Sequence, residues 1–292
     1  MKYSDLLIEI CDLNYFPVNL SITSEKTTVQ YKYAIESFGE WLKHPATLDD
    51  LSDDNLAGWM RWLAKDQKLS PLTANEKAGR IKALWTWLAK RGVVKTFPTI
   101  GRLSVPERIP SAWDESQLRK LFAACRETTG EIAGVPAGIW WLALHAVLWN
   151  TSERIGAVKL CEWEHLNWET GWLMIPAECR KGGKKAGAYH LWPKTMEALA
   201  AIREPSRKLI FPMPFCEATF YGRYRKILIR ADLPHDRKSK THRMRVSHAT
   251  WIKAMGGNPS EDLGHESQET TRKHYLDPRF IKRDGPDLFK PW

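Results

Sequence analysis

Four residues near the end of the sequence have the types and the spacing of a site that acts on phosphate: His242, Arg245, His265 and Tyr275. An arginine offers a planar fork of donors that matches phosphate oxygens. A histidine transfers protons near neutral pH, and a tyrosine can act as a covalent nucleophile. A phenol has a pKa of about 10, so its deprotonation at pH 7 costs roughly 4 kcal/mol and requires nearby cations and a proton acceptor. The set indicates attack of a tyrosine on a phosphodiester.

The stretch from residue 241 to 275 must fold so that these side chains meet. If a helix opens at Arg245, His242 lies within one turn of it and both can face one ligand. The polar run 256–260 then ends the helix and lets the chain fold back. That return can bring His265, which follows Leu-Gly, and Tyr275 to the same place.

The order of these motifs resembles the C-terminal signature of the tyrosine recombinase, or phage integrase, family: His-x-x-Arg, then Leu-Gly-His, then a tyrosine ten residues later. The resemblance covers roughly residues 21 to 280 and is strongest in the C-terminal third. It implies a mainly α fold. A small all-α core-binding domain precedes a mixed α+β catalytic domain that is mostly helical with a small antiparallel sheet.

The family's first catalytic arginine stands in a Thr-Gly-x-Arg turn at the end of a buried helix, and Arg154 matches it. The apolar run 138–149 predicts that helix. Two residues depart from the family pattern. Ser152 stands where a glycine is usual, and Ala157 stands where an acidic residue often supports the site.

Family members also carry a catalytic lysine in a β-hairpin. Strands predicted at 172–175 and 188–192 flank a basic, glycine-rich turn and so form such a hairpin. Lys181, just before the glycines, matches the catalytic lysine best. Lys184 is the alternative, because the sequence does not fix the register of the turn.

The resemblance thus implies six catalytic residues: Arg154, Lys181, His242, Arg245, His265 and Tyr275. The arginines would hold the non-bridging oxygens of the scissile phosphate while the tyrosine attacks. His242 would accept the phenol proton, the lysine would protonate the leaving 5′-oxygen, and His265 would orient a phosphate oxygen or an arginine. A 3′-phosphotyrosyl link keeps the phosphodiester energy, so no ATP, metal or other cofactor is expected.

The net charge of +10 favours a polyanionic partner, and the resemblance implies double-stranded DNA. Candidate DNA-binding residues are Lys77, Arg80, Lys82, Lys184, Arg223, Arg225, Lys226 and Arg243. A solvated helix face would explain the basic residues of the N-terminal domain equally well. The five cysteines form no Cys-x-x-Cys pair, and no signal peptide or bilayer-length apolar run occurs. We therefore expect a cytoplasmic protein with reduced thiols.

Composition and periodicity predict the following organisation: an N-terminal arm at 1–20, an all-α core-binding domain at 21–95, a proline-containing linker at 96–112, a catalytic domain at 113–275 and a tail at 276–292. The tail carries Phe280, Ile281, Leu288, Phe289 and Trp292. These residues would pack either on a neighbouring protomer or on the tail's own domain.

Three functions follow from these patterns. The first is a site-specific recombinase or integrase of a mobile-element type, a monomer in solution that works as a homotetramer on two DNA sites. The second is a type IB-like topoisomerase with the same chemistry that reseals the original strand. The third is a DNA-binding protein that keeps the fold without cleaving, which the alanine at 157 suggests.

Overall fold

The computed structural model describes residues 3–20, 22, 24–204, 206–236, 239–264 and 266–281. The chain divides into two units, residues 1–107 and 108–292. Each unit is built around a hydrophobic core of its own.

Helices build the described part of the first unit: α1 (Leu7–Ile10), a π-helical turn (Cys11–Tyr15), α2 (Phe16–Val18), α3 (Glu25–Leu42), a 3-10 turn (Leu48–Asp50), α4 (Asp53–Lys65) and α5 (Pro71–Ala89). Serine caps start two of the long helices. Ser52 accepts a hydrogen bond from the backbone N–H of Asn55, and Ser70 accepts one from that of Thr73. The left-handed residue Lys43 ends α3. The predicted all-α character is confirmed.

Both flanks of the helical region pack against the first unit's core. Leu7, Ile10, Cys11 and Tyr15, from the segment predicted as an arm, are buried in that core. The predicted linker also makes specific contacts. The Asn75 side chain donates to the carbonyl of Leu103 and accepts from its N–H, at 2.9 and 2.8 Å.

The second unit contains α6 (Glu115–Arg126), α7 (Ala137–Thr151), α8 (Ile155–Val158), α9 (Pro193–Ala200), α10 (Glu217–Arg230), α11 (His242–Ala254), α12 (Pro259–Leu263) and α13 (Gln268–Tyr275), with 3-10 turns at Trp163–His165 and Ala177–Cys179. It also has two antiparallel hairpins: β1 (Glu131–Ile132) with β2 (Val135–Pro136), and β3 (Trp172–Ile175) with β4 (Gly187–His190). In the second hairpin Trp172 pairs with His190 and Ile175 with Gly187. The predicted fold, mostly helical with a small antiparallel sheet, is confirmed.

The core of the second unit surrounds α7, as the apolar run predicted. Trp140, Trp141 and Leu144 of this helix are completely buried. His145, also completely buried, satisfies one ring nitrogen locally, since its Nδ1 lies 2.8 Å from the carbonyl oxygen of Trp141. Within the described residues, no helix combines the length and the apolar character needed to cross a membrane.

Three local predictions need correction. Helix α11 begins at His242 and not at Arg245, so both residues share one regular helix. Strand β4 covers Gly187–His190 rather than 188–192. Helix α10 was not predicted, and it buries Tyr224 against Trp141.

The turn that follows α7 depends on an unusual backbone conformation. Ser152 has φ of +53°, in the left-handed region that costs an L-residue roughly 1–2 kcal/mol. The residue is completely buried, and its hydroxyl finds no hydrogen-bond partner among the described residues. A glycine would adopt this conformation without strain. The geometry gives a physical reason for the glycine that the family pattern has here.

We expect Ser152→Gly to raise the free energy of unfolding by about 1 kcal/mol, because it relieves the strain and removes an unpaired hydroxyl. Thermal unfolding would then shift upward by roughly 2–4 °C. Ser116→Gly, the same change at an exposed position of α6, is the control and should lower stability by about 0.5 kcal/mol. Equal destabilisation by both changes would contradict the interpretation.

Candidate active site

The guanidinium of Arg245 is the centre of the site. Arg245 lies in α11 and is 1% exposed. Its Nη1 donates to the carbonyl of Ser152 at 2.6 Å, and its Nη2 donates to the carbonyl of Leu263 at 2.8 Å. Burial, together with the charge of Arg154, lowers the pKa of Arg245. One side chain thereby joins the end of α7 to the end of α12.

Tyr275 meets this guanidinium from the last turn of α13. The guanidinium carbon of Arg245 lies 5.5 Å from the centroid of the phenol ring. Tyr275 is only 6% exposed. Its carbonyl accepts a hydrogen bond of 3.0 Å from the hydroxyl of Thr250 in α11, which fixes the end of α13.

His242 occupies the preceding turn of α11. Its ring centroid lies 5.3 Å from that of Tyr275, with the rings inclined at 64°. Burial, and then the charges of Arg245 and Arg154, lower the pKa of His242 to about 4. The imidazole is therefore neutral at pH 7 and able to accept a proton.

Arg154 completes a group of four. It is half-buried, directly before α8, and its charge acts on both His242 and Arg245. Two guanidinium groups held near each other repel, and an anion between them removes that repulsion. The four side chains therefore form an anion site with a phenol at its edge.

The structure does not bring the hairpin lysine into this group. Lys181 is exposed in the connection between β3 and β4, and within the described part of the chain its ammonium makes no hydrogen bond or ion pair. Lys184 is also exposed. It lies near Glu266, whose pKa is lowered first by the hydrogen bond from Lys185 and then by the charges of Lys185 and Lys184. Both lysines remain candidates for the catalytic role.

His265 and the last tail residues, among them Leu288, Phe289 and Trp292, lie outside the described residues. Gly264, directly before His265, has φ of +64° and ends α12. Of the other tail residues, Phe280 packs against the small core cluster that contains Tyr275.

Sequence reasoning missed a buried carboxylate beside the site. Glu153 is 3% exposed and pairs with Arg180 and Tyr189 of the hairpin. It also missed His248, which bridges the carbonyl of Trp149 and the carboxylate of Asp262, at 2.6 and 3.2 Å. The only local signal for Glu153 is its position next to Arg154, at the end of a buried helix.

The candidate DNA-binding residues of the second unit fall into two groups. Arg223, Arg225 and Lys226 are exposed on α10. Arg243 is instead half-buried and already makes contacts within the protein: it donates to the hydroxyl of Ser111 at 2.7 Å, and its guanidinium carbon lies 5.2 Å from the ring centroid of Trp113.

In the first unit the three candidates lie on α5 and are half-buried. Lys82 donates to the carbonyls of Ile100 and Gly101, at 2.5 and 3.1 Å. Arg80 donates to the carbonyl of Glu76 at 2.7 Å. Burial lowers the pKa of Lys77. Contacts within the first unit thus use some of the hydrogen-bond donors that were predicted to bind phosphates.

One cluster of potential metal ligands occurs among the described residues: Glu162, Glu164 and His165. Nδ1 of His165 already accepts the backbone N–H of Glu162 at 3.0 Å, and Glu162 pairs with Lys208. These contacts account for the cluster without an ion.

Comparison with known families decides what kind of protein carries this site. Residues 112–281 match the profile described as "Phage integrase family". Residues 18–94 match "Phage integrase, N-terminal SAM-like domain". The chain belongs to the phage integrase family. The prediction of a tyrosine recombinase is confirmed, and with it the class of enzyme, a site-specific DNA strand-transferase. The topoisomerase and non-cleaving alternatives are not favoured.

Several solved structures have the same fold. A lambda integrase dimer bound to a COC′ core site is similar with a TM-score of 0.68 and 15% identity, over 94% of this chain and 95% of that one. A Tn1549 transposon integrase in complex with circular intermediate DNA gives 0.74 and 12%, over 97% of both chains. The XerH recombinase bound to a difH substrate gives 0.65 and 18%, over 85% and 75%. No curated protein sequence matches this chain.

The depressed pKa of His242 predicts an acid-sensitive fold. An unfolded histidine titrates near 6.5, so below that pH the unfolded recombinase binds more protons and stability falls toward pH 4. Because His242 is partly exposed to solvent, water screens these effects and its contribution to the loss is small. Buried His145, whose pKa burial also lowers to about 4, contributes a loss of about 2 kcal/mol between pH 7 and pH 5.

We therefore expect His242→Gln to lose slightly less stability than the wild type between pH 7 and pH 5, because only the part of the shift that solvent does not screen is removed. Denaturant unfolding of both proteins at the two pH values measures the difference. Identical losses would show that the His242 imidazole takes up its proton as readily in the folded state as in the unfolded one.

Proposed function

We propose that Tyr275 is the nucleophile of this recombinase and that it cuts and rejoins double-stranded DNA through a 3′-phosphotyrosyl intermediate. The observation that carries the proposal is the position of the Tyr275 ring, 5.5 Å from the guanidinium carbon of Arg245 and 5.3 Å from the neutral imidazole of His242. A phenol next to a cation and a proton acceptor has what it needs to lose its proton during attack.

In the proposed reaction the scissile phosphate lies between Arg154 and Arg245. The guanidinium groups donate to the non-bridging oxygens and offset the charge that develops as the phenol oxygen bonds to phosphorus. His242 takes the phenol proton. The bond to the 5′-oxygen breaks, and Lys181, or Lys184 in the alternative register, gives that oxygen a proton. His265 orients a phosphate oxygen or an arginine.

The reverse reaction completes recombination. A 5′-hydroxyl from a second duplex attacks the phosphotyrosyl link and returns its proton to the lysine, while the departing phenolate of Tyr275 regains its proton from His242. One phosphodiester is exchanged for another of similar energy, so the cycle requires no ATP, metal ion or other cofactor.

We further propose a homotetramer on two DNA sites as the active assembly. One of the similar structures is a lambda integrase tetramer bound to a Holliday junction. The exposed basic residues Arg223, Arg225 and Lys226 of α10 would contact the phosphate backbone. The division into a core-binding and a catalytic domain, and a cytoplasmic location, remain predictions.

Covalent trapping tests the nucleophile. Wild type and Tyr275→Phe are incubated without metal or ATP with nicked fragments of the DNA that flanks the gene, and then separated on a denaturing gel. A nick near the scissile phosphate lets the released strand end diffuse away, so the adduct accumulates. We expect a DNA-linked band from the wild type, mapping to Tyr275, and none from the variant.

Binding by Tyr275→Phe is the control for this experiment, since loss of one hydroxyl should leave DNA affinity within about threefold of wild type. An adduct that persists in Tyr275→Phe would disprove the role of Tyr275. A wild type that forms no adduct on a broad pool of nicked DNA would disprove cleavage altogether.

Binding should also weaken steeply with salt, because phosphate contacts release counterions. The double change Arg225→Gln with Lys226→Gln should reduce the slope of log affinity against log salt by about 2. The control is Arg119→Gln with Lys120→Gln on α6, an adjacent exposed pair already matched with Glu115 and Asp232. Fluorescence anisotropy at several salt concentrations gives the slopes, and equal slopes for the two double variants would exclude α10 from the interface.

A further inference from the structure

A buried carboxylate links the turn that carries Arg154 to the β3–β4 hairpin. The side chain of Glu153 is 1% exposed. Its Oε1 lies 2.7 Å from a guanidinium nitrogen of Arg180 and accepts a hydrogen bond of 2.7 Å from the hydroxyl of Tyr189. Its Oε2 accepts the backbone N–H of Arg154 at 3.0 Å. Both oxygens are therefore used, as a buried anion requires.

Arg180 also closes the loop that contains both candidate lysines. Its Nη1 donates to the carbonyls of Lys185 and Ala186, at 3.0 and 2.9 Å. The loop 180–186 is thus drawn together at its two ends by one guanidinium, and Glu153 holds that guanidinium. Lys181 and Lys184 lie between the two ends and are exposed, and among the described residues no comparable contact anchors either side chain.

The same guanidinium lies against the turn that leads to α13. A Cβ atom placed on Gly264 would come within 3.3 Å of Arg180 Nη2. The next residue is His265, and the helix that follows ends in Tyr275. Through Arg180, the loop 180–186 is therefore held in place relative to Arg154 and to the turn before α13.

A buried ion pair adds little net stability, because desolvation offsets the attraction between its charges. Removing one partner of such a pair, in contrast, leaves an unpaired buried charge, and that charge drives local rearrangement. The arrangement is therefore suited to fixing a geometry rather than to stabilising the fold.

We infer that Glu153 and Arg180 are positioning residues that hold the lysine-bearing loop 180–186 where its lysine can protonate the leaving 5′-oxygen. The inference rests on the proposed function, since the lysine has this task only if the DNA is cleaved. Neither residue has to touch the DNA. Without the carboxylate, Arg180 loses its anchor and the loop leaves its position, whereas the contacts of Arg245 with Ser152, Leu263 and Tyr275 remain.

A sulfur substitution in the DNA separates this role from a general structural one. Two nicked duplexes are compared, identical except that sulfur replaces the bridging 5′-oxygen at the phosphate that the wild type cleaves. A thiol, with a pKa of about 8.5, leaves without being protonated, whereas an alkoxide requires a proton. A defect confined to proton delivery therefore disappears on the sulfur substrate.

We expect Glu153→Gln and Arg180→Gln each to slow single-turnover cleavage of the oxygen substrate by about 10- to 100-fold. On the sulfur substrate both variants should cleave within about threefold of the wild type, which also shows that they are folded and that Tyr275 is in place. Glu162→Gln is the matched control. It removes a carboxylate paired with Lys208 at 3.0 Å, outside the loop, and should behave as wild type on both substrates.

Equal slowing on the two substrates would overturn the inference, since it would locate the defect in the nucleophile, the arginines or the fold. Unchanged cleavage of the oxygen substrate by Glu153→Gln would overturn it as well. Failure of the proposed function has a different signature, because the wild type would then form no adduct on either substrate.

Discussion

The site depends on one buried cation, the guanidinium of Arg245. A charge removed from water must be matched by oriented dipoles, and here the carbonyls of Ser152 and Leu263 supply them. Both carbonyls belong to turns at helix ends, where the helix leaves carbonyls unpaired. The cation therefore fixes two turns at once, and its contact with the ring of Tyr275 ties the end of α13 to both. Ser152 adopts a left-handed conformation at this point.

The charges around the site favour binding of an anion between its two arginines. Arg154 and Arg245 repel each other, and together with burial they keep His242 unprotonated. A phosphodiester between the arginines would relieve the repulsion, and its charge would raise the proton affinity of His242. The imidazole would then be a better acceptor when DNA is bound than when it is absent. Substrate binding and proton transfer are in this way coupled through a few charges at short range.

Ala157 is the clearest departure from the family pattern, yet the site does not lack a carboxylate. Ala157 is buried in the core of the second unit. Glu153, on the other side of Arg154, supplies a buried anion whose charge acts on Arg245. Its partners Arg180 and Tyr189 belong to the β3–β4 hairpin, so the carboxylate connects the turn after α7 to that hairpin.

The sequence by itself determined the helical fold and the family, because both leave local signals. An apolar run marks α7, and the ordered motifs predict Arg154, His242, Arg245 and Tyr275 as residues of the site. Only the tertiary structure decided which side chains are buried and paired. The Glu153–Arg180 pair, the burial of Tyr224 and the contacts of Arg243 join residues far apart in the chain. Such contacts leave no periodic pattern and no fixed spacing in the sequence, since they depend on how helices and hairpins pack together.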